Sequence, residues 1–128
     1  MFFVQEEVEK EKIVKLTLQP LVENAIYHGI KYIEGSGKIT IRGYYKEKDV
    51  VIEIQDNGIG MTEEELQHIF DKKIYKPGIG GIGVYNVQNR LQLYYGTEYG
   101  LLYRSSKGAG TTVYVRIPAG EEAADGEN

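Results

Sequence analysis

The stretch Val51-Ile52-Glu53-Ile54-Gln55-Asp56-Asn57-Gly58-Ile59-Gly60-Met61-Thr62-Glu63-Glu64-Glu65-Leu66 decides how the rest of the chain is read. Val50 to Gln55 alternates apolar and polar residues, the period of a strand with one face covered. Asp56-Asn57-Gly58 then has the look of a hairpin turn, for which Asp-Gly and Asn-Gly pairs are the usual signal. A hairpin needs another strand at once, and none follows. Thr62 and Glu65 instead make the pattern of a capping box, opening a short helix through about Phe70. A carboxylate therefore ends a strand, and the two glycines after it let backbone come close. This suits a ligand platform better than a turn.

Before this stretch, Lys38 to Tyr45 alternates in the same way and Lys46–Asp49 is a polar turn, so the two strands read as an antiparallel hairpin. Leu18, Leu21, Val22, Ala25 and Ile26 recur at helical spacing, with Gly29 as terminator. Pro20 fits that helix in its first turn, where the missing N–H costs nothing. Phe2 to Gln5 reads as a short strand and Glu6 to Lys12 as an exposed connection. Downstream, Asp71 to Gly83 is a glycine-rich loop holding Pro77, its Asp71–Pro77 part reading as mobile. Val84, Val87, Leu91 and Tyr94 mark a long helix stopped by Gly96, and Tyr99–Ser105 with Thr111–Ile117 form a closing hairpin around Lys107–Gly110. The alternation predicts an α+β two-layer sandwich, one mixed, mostly antiparallel sheet with helices on one face.

A chain of 128 residues, 41% hydrophobic and 27% charged, is a single globular domain. Its body is expected to span 1–118, with 119–128 a disordered acidic tail. Glu121, Glu122, Asp125 and Glu127 in that tail account for the whole net charge of −4. The body is balanced, which argues against a nucleic-acid surface. No apolar run approaches the roughly 20 residues of a membrane span, so direct membrane contact is not expected. Cysteine is absent, excluding disulfides and thiolate metal sites and fitting a cytoplasmic location.

Two further motifs carry chemistry. Gly78-Ile79-Gly80-Gly81-Ile82-Gly83 satisfies the G-x-G-x-x-G dinucleotide pattern, but that fingerprint needs a preceding hydrophobic strand. Asp71-Lys72-Lys73-Ile74-Tyr75-Lys76-Pro77 is no such strand. What survives is the shared physics: glycines admit a polyphosphate close to backbone N–H groups, and the helix N-terminus beyond Gly83 favours negative charge. In Leu18-Gln19-Pro20-Leu21-Val22-Glu23-Asn24-Ala25-Ile26-Tyr27-His28-Gly29, Asn24 and His28 lie four apart on one helical face. Asn24 offers an amide oxygen suited to Mg²⁺, and His28 and Lys31 offer groups for phosphate oxygens. An ordinary amphipathic helix accounts for that segment equally well.

In this order the three motifs resemble the N, G1 and G2 boxes of the GHKL superfamily of ATPases and kinases. The resemblance is closest to sensor histidine kinases of the LytS/YesM type, in the wording LQPLVENAIYHGI, GIGVYNVQNRLQLYYG and Gly110-Thr111-Thr112. It covers about residues 16–118 and implies the Bergerat fold and an ATP-binding catalytic domain. By position it implies that Asn24 holds Mg²⁺, that Asp56 accepts from the adenine amino group, and that Gly58 and Gly60 shape the base pocket. It also implies that Phe70 to Gly80 forms a lid, that Gly81, Gly83 and Val84 cradle phosphates, and that Thr111 sits near the adenine. An acceptor-only carboxylate would pair with adenine's amino donor and repel guanine's carbonyl at the same place.

Hydrolytic members of the superfamily carry a glutamate four residues before the asparagine. Here that residue is Pro20, and Glu23 is turned about 100° round the helix from Asn24. The expectation is weak hydrolysis and transfer of the γ-phosphate to another nucleophile. His28 lies in the N box and His68 reads as solvent-facing, so neither is an acceptor. The resemblance implies an upstream dimerisation domain with the phosphoacceptor histidine, a response regulator as partner, and a membrane-anchored bacterial sensor as parent. On this reading Met1 is not the natural start, and the chain alone should not autophosphorylate. The alternatives are a serine kinase of the anti-sigma type and a nucleotide-binding module without catalysis. Intact Asn24, Asp56 and loop glycines weigh against the last.

Overall fold

Period-2 alternation produces the sheet. β1 (Ile39–Lys46) and β2 (Asp49–Asp56) pair antiparallel across a tight turn, and β3 (Gly100–Ser105) and β4 (Thr111–Pro118) make the second hairpin. The structure, a computed structural model, describes residues 11–30, 35–76 and 78–119, with backbone alone at 11–16, 28 and 29. Within these the sheet is four-stranded, in the order β1-β2-β4-β3, and every pairing is antiparallel. The strand expected at Phe2–Gln5 lies outside the described residues, as does the tail beyond Ala119.

Register brings one face of each strand into one layer. Ile41 pairs with Ile54, Ile54 with Val113, Ile52 with Val115, and Val115 with Leu101. Val50, Ile52, Ile54, Val115 and Ile117 are almost wholly buried. At roughly 25 cal/mol per Å² of apolar surface removed from water, this layer is the main source of stability. Arg42, Glu53, Tyr114 and Arg116 occupy the opposite face, and Arg42 and Tyr44 both bond Glu53 there (3.1 and 2.6 Å).

Helices cover the apolar face. α1 (Glu11–Asn24) contributes Leu18 and Leu21, the π-helical turn after it Ala25, and α3 (Ile82–Tyr95) contributes Val84, Val87 and Leu91. Tyr94, expected on this inner stripe, is 71% exposed, and Tyr95, four residues after Leu91, packs against the core instead. Gly96 ends α3 at φ 106, its N–H bonding Gln92 O. α2 is shorter than expected, Glu63–Leu66, and continues to Phe70 as turns with three-residue hydrogen bonds. Both halves of its capping box form: Thr62 Oγ1 accepts from Glu65 N (3.1 Å), and Glu65 Oε1 accepts from Thr62 N (2.9 Å).

Pro20 corrects the sequence reading. It lies in the interior of α1, which begins by Glu11, so Glu11 and Lys12 are helical rather than a connection. An interior proline costs about 3 kcal/mol. Burial of Leu18, Leu21 and Ala25 against the sheet offsets that and carries the helix through. Beyond Asn24 the chain widens into a π-helical turn, Ala25–Gly29, in which Ile30 N–H reaches Ala25 O. The α-helical spacing that would put Asn24 and His28 on one face therefore does not hold there.

Candidate functional site

At one end of the sheet the inward-facing row turns polar: Asp56 on β2 pairs with Thr111 on β4, and Thr111 with Ser105 on β3. Asp56 is 7% exposed. Its Oδ1 accepts from Gly58 N (2.8 Å), and the Thr111 backbone N–H also reaches the carboxylate. Burial pushes its pKa above the ordinary carboxylate value, with these two N–H groups opposing the shift. No cation pairs with it among the described residues. A buried acid without a countercharge is costly by itself, and it marks a place for a ligand donor.

The loop after Asp56 is interlocked with the β3–β4 turn. Gly108 N bonds Ile59 O (2.7 Å), and Met61 N bonds Ser105 Oγ (2.8 Å). Ser105 Oγ also reaches Gly110 O (2.9 Å) and Thr111 Oγ1 (2.8 Å). A hydroxyl donates once, so donation by Ser105 to Gly110 O leaves Thr111 as donor to Ser105. The oxygen lone pairs of Thr111 then remain free. Asn57 faces away: its Oδ1 accepts from Lys38 N (2.8 Å) and its Nδ2 donates to Ser36 O (3.1 Å), tying down the entry to β1.

Above this polar row lies a cavity of about 360 Å³. Leu21, Ala25, Ile54, Met61, Ile79 and Val113 give it apolar walls, and Asn24, Asp56, Gly60 and Thr111 line it together. A largely apolar pocket with a few convergent polar groups is the usual form of a small-molecule site. Asn24 stands at the junction of α1 with the π-helical turn, half-buried. Gly58 is not on the cavity wall but orients the Asp56 carboxylate.

The remaining expected residues are placed differently. Val84 is 3% exposed within the core, so its side chain meets sheet and helix rather than the cavity. Gly81 donates its N–H to Asp71 O (2.8 Å), so that donor is already used. Gly83 is exposed in the first turn of α3, which begins at Ile82 rather than beyond Gly83. The side chain of His28 and the whole of Lys31 lie outside the described residues. Glu23 is exposed and accepts from Gln19 (3.2 Å), away from the cavity.

Within the Phe70 to Gly80 stretch expected to form the lid, the part from Phe70 to Lys76 is folded down on α2. Tyr75 stacks on His68 at 3.7 Å between ring centroids, and its hydroxyl donates to Glu64 (2.8 Å). His68 also bonds Asp71 (2.8 Å), so it is a half-buried stacking partner rather than a free surface group. Lys76 from this segment and Lys107 from the β3–β4 turn both reach Glu65, each at 3.4 Å, and all three line the cavity. The Thr62 N–H holds the Glu65 carboxyl below the usual range, with the lysines adding to it. Sequence reasoning missed Glu65, Lys76, Tyr103, Ser105 and Lys107. Only Glu65 had a signal, its place in the capping box.

The fold and this cavity together define an ATP-binding domain of the Bergerat type. The family of histidine kinase-, DNA gyrase B- and HSP90-like ATPases matches residues 9–121, and the chain belongs to it. Within that family it is similar to the sensor histidine kinase YesM of Bacillus subtilis (34% identical over 119 residues, 93% of this chain and 19% of that one). Similarity extends to the sensor protein kinase HptS of Staphylococcus aureus, 33% identical over 88% of this chain and 22% of the relative. The sensor histidine kinase BtsS of Escherichia coli is 27% identical over 94% of this chain and 19% of the relative. The chain thus spans about a fifth of the length of these relatives. Among solved structures, the nucleotide-free catalytic domain of histidine kinase ThkA superposes with a TM-score of 0.70 at 21% identity, covering 92% of this chain and 78% of that one. The blue-light activated histidine kinase of Erythrobacter litoralis gives a TM-score of 0.67 at 22% identity, over 92% of this chain and 35% of that one. At such identity these two speak for the fold.

Proposed function

We propose that the chain presents Mg·ATP so that the γ-phosphate passes to a histidine on a dimerisation domain upstream in the same protein. The observation that carries this is the convergence of Asn24, Asp56, Gly60 and Thr111 on one cavity, with the unpaired buried acid at its floor. On this reading Asp56 accepts a hydrogen bond from the adenine amino group, Gly58 fixes its carboxylate, and Thr111 accepts nearby. The apolar walls take the purine faces.

The triphosphate points toward Asn24 and the N-terminus of α3, whose first N–H groups have no partners within the helix. No group of three or more metal-ligating His, Asp or Glu residues occurs among the described residues. The Asn24 amide oxygen, a hard neutral donor lining the cavity, would be the protein's ligand to a Mg²⁺ shared with the phosphates. When bound it neutralises charge on the phosphate oxygens. Gly83 leaves backbone exposed at that end, Gly81 shapes the turn into α3 with its own N–H held by Asp71 O, and His28 and Lys31 are assigned to the phosphates.

Transfer rather than hydrolysis follows from what flanks Asn24. Pro20 has no basic atom, and Glu23 is turned outward, so no side chain there activates water. Positioning and charge neutralisation then do the catalysis. The parent is read as a membrane-anchored sensor signalling to a response regulator, with this domain in the cytoplasm. No helix among the described residues is long and apolar enough to cross a membrane.

The test is to incubate the domain with Mg·ATP and a separately made, histidine-bearing upstream segment. Acid-labile, alkali-stable phosphate on that segment is the expected result. Sustained hydrolysis of ATP without transfer would contradict the assignment.

A further inference from the structure

Tyr103 stands on the inward face of β3, opposite Val113 and two residues before Ser105. Its neighbours in the cavity wall, Ile54 and Val113, are apolar, and its ring meets Phe70 edge-on at 5.9 Å between centroids. A phenylalanine would make the same packing. The hydroxyl is therefore an addition, and among the described residues it has no hydrogen-bond partner. Burial pushes its pKa above the ordinary phenol value, and the charge on Asp56 pushes in the same direction. The two groups thus feel each other without bonding, and both line the same cavity. Tyr103 is half-buried, so its hydroxyl, without a protein partner, is left for whatever enters the cavity.

We propose that Tyr103 is a specificity-determining residue whose hydroxyl donates a hydrogen bond to the adenine ring nitrogen beside the amino group that Asp56 receives. This rests on the proposed binding of adenine at Asp56. The pair then reads the purine edge in two places. Asp56 supplies an acceptor where adenine has a donor, and Tyr103 supplies a donor where adenine has an acceptor. Guanine reverses the first of these, and on its N1 side also the second. Rejection of the wrong base by two mismatched groups is stronger than rejection by one. The contact with Phe70 ties this reader to the root of the folded-down segment.

The experiment compares wild type, Tyr103→Phe and Asp56→Ala by calorimetry with ATP, 1-deaza-ATP and 7-deaza-ATP, alongside thermal melts without nucleotide. Tyr103→Phe keeps the ring, so it should melt at or above the wild-type temperature when empty. It should bind ATP about two- to tenfold more weakly, the range of one neutral hydrogen bond. That penalty should vanish with the deaza analogue lacking the contacted nitrogen, which distinguishes N1 from N7. Equal ATP affinity in Tyr103→Phe, or an equal loss with all three nucleotides, overturns the role of Tyr103. If Asp56→Ala loses ATP while Tyr103→Phe does not, only this inference falls. If Asp56→Ala binds ATP normally, the reading of the base pocket falls with it.

Discussion

A methyl group placed on Gly60 and one placed on Gly83 meet opposite surroundings. At Gly60, with φ +74, the added carbon would lie 2.0 Å from the Ser106 carbonyl oxygen. On the facing turn, a carbon on Gly110 would lie 2.2 Å from Asp56 O. At Gly83 there is nothing within 4 Å, and φ is not in the positive region. The Asp56 end of the cavity thus needs its glycines to close two backbone turns against each other, whether or not a ligand is bound. At the start of α3 the fold needs Gly83 for nothing internal, and on the proposed reading its bare backbone serves the approach of phosphate. Gly80 belongs with the first kind, since its carbon would lie 2.6 Å from His68 O.

The sharpest way to break this comparison is Gly60→Ala. Backbone collision plus positive φ predicts a loss of at least about 3 kcal/mol in stability, read by denaturant titration. Next is Val84→Ala, which should cost about 2 kcal/mol through lost burial while the remaining folded protein binds ATP unchanged. A large drop in affinity there would return Val84 to the phosphate site. Gly83→Ala should raise the stability of the empty domain by up to about 1 kcal/mol, as expected for Ala over Gly in an exposed helical turn. The same variant should bind ATP more weakly, and unchanged affinity would remove Gly83 from the site.

The smallest effect is one of pH. Asp56 has a folded pKa raised above its unfolded value, burial being the main cause. Its contribution to stability is therefore fully present below the unfolded pKa and is lost as pH rises through the folded one. Relative to Asp56→Asn, the empty wild type should melt progressively lower as pH rises through this window. ATP affinity should change in the opposite sense, growing as the carboxylate ionises. Parallel melting curves across that range would remove the raised pKa from the account.

The sheet was readable because its inner face is apolar and its outer face polar, and a slip of one residue would bury Arg42, Glu53 and Arg116. The capping box at Thr62 and the stop at Gly96 were readable because each is a local chemical device. Pro20 misled because local propensity set the boundary, whereas burial of Leu18, Leu21 and Ala25 set it in the fold. Asp56 and Asn24 stood out by type and position. Val84 carried two readings, an apolar stripe by its helical spacing and a phosphate cradle by resemblance, and its burial in the core follows the first. Tyr103, Ser105 and Lys107 reach the cavity only through pairing of β3 with β4, and Lys76 only through folding of its segment onto α2. Such contacts across the chain leave no local pattern.

The claim beneath all of this is that one buried, uncompensated acid holds the base of a nucleotide whose phosphates run toward Asn24. Calorimetric titration of wild type and Asp56→Ala with Mg·ATP and Mg·GTP tests it most directly. Wild type should bind ATP well above GTP, and Asp56→Ala, still folded by circular dichroism, should lose about ten- to hundredfold in ATP affinity, the range of one charged hydrogen bond. Equal binding of ATP by the two proteins would contradict it.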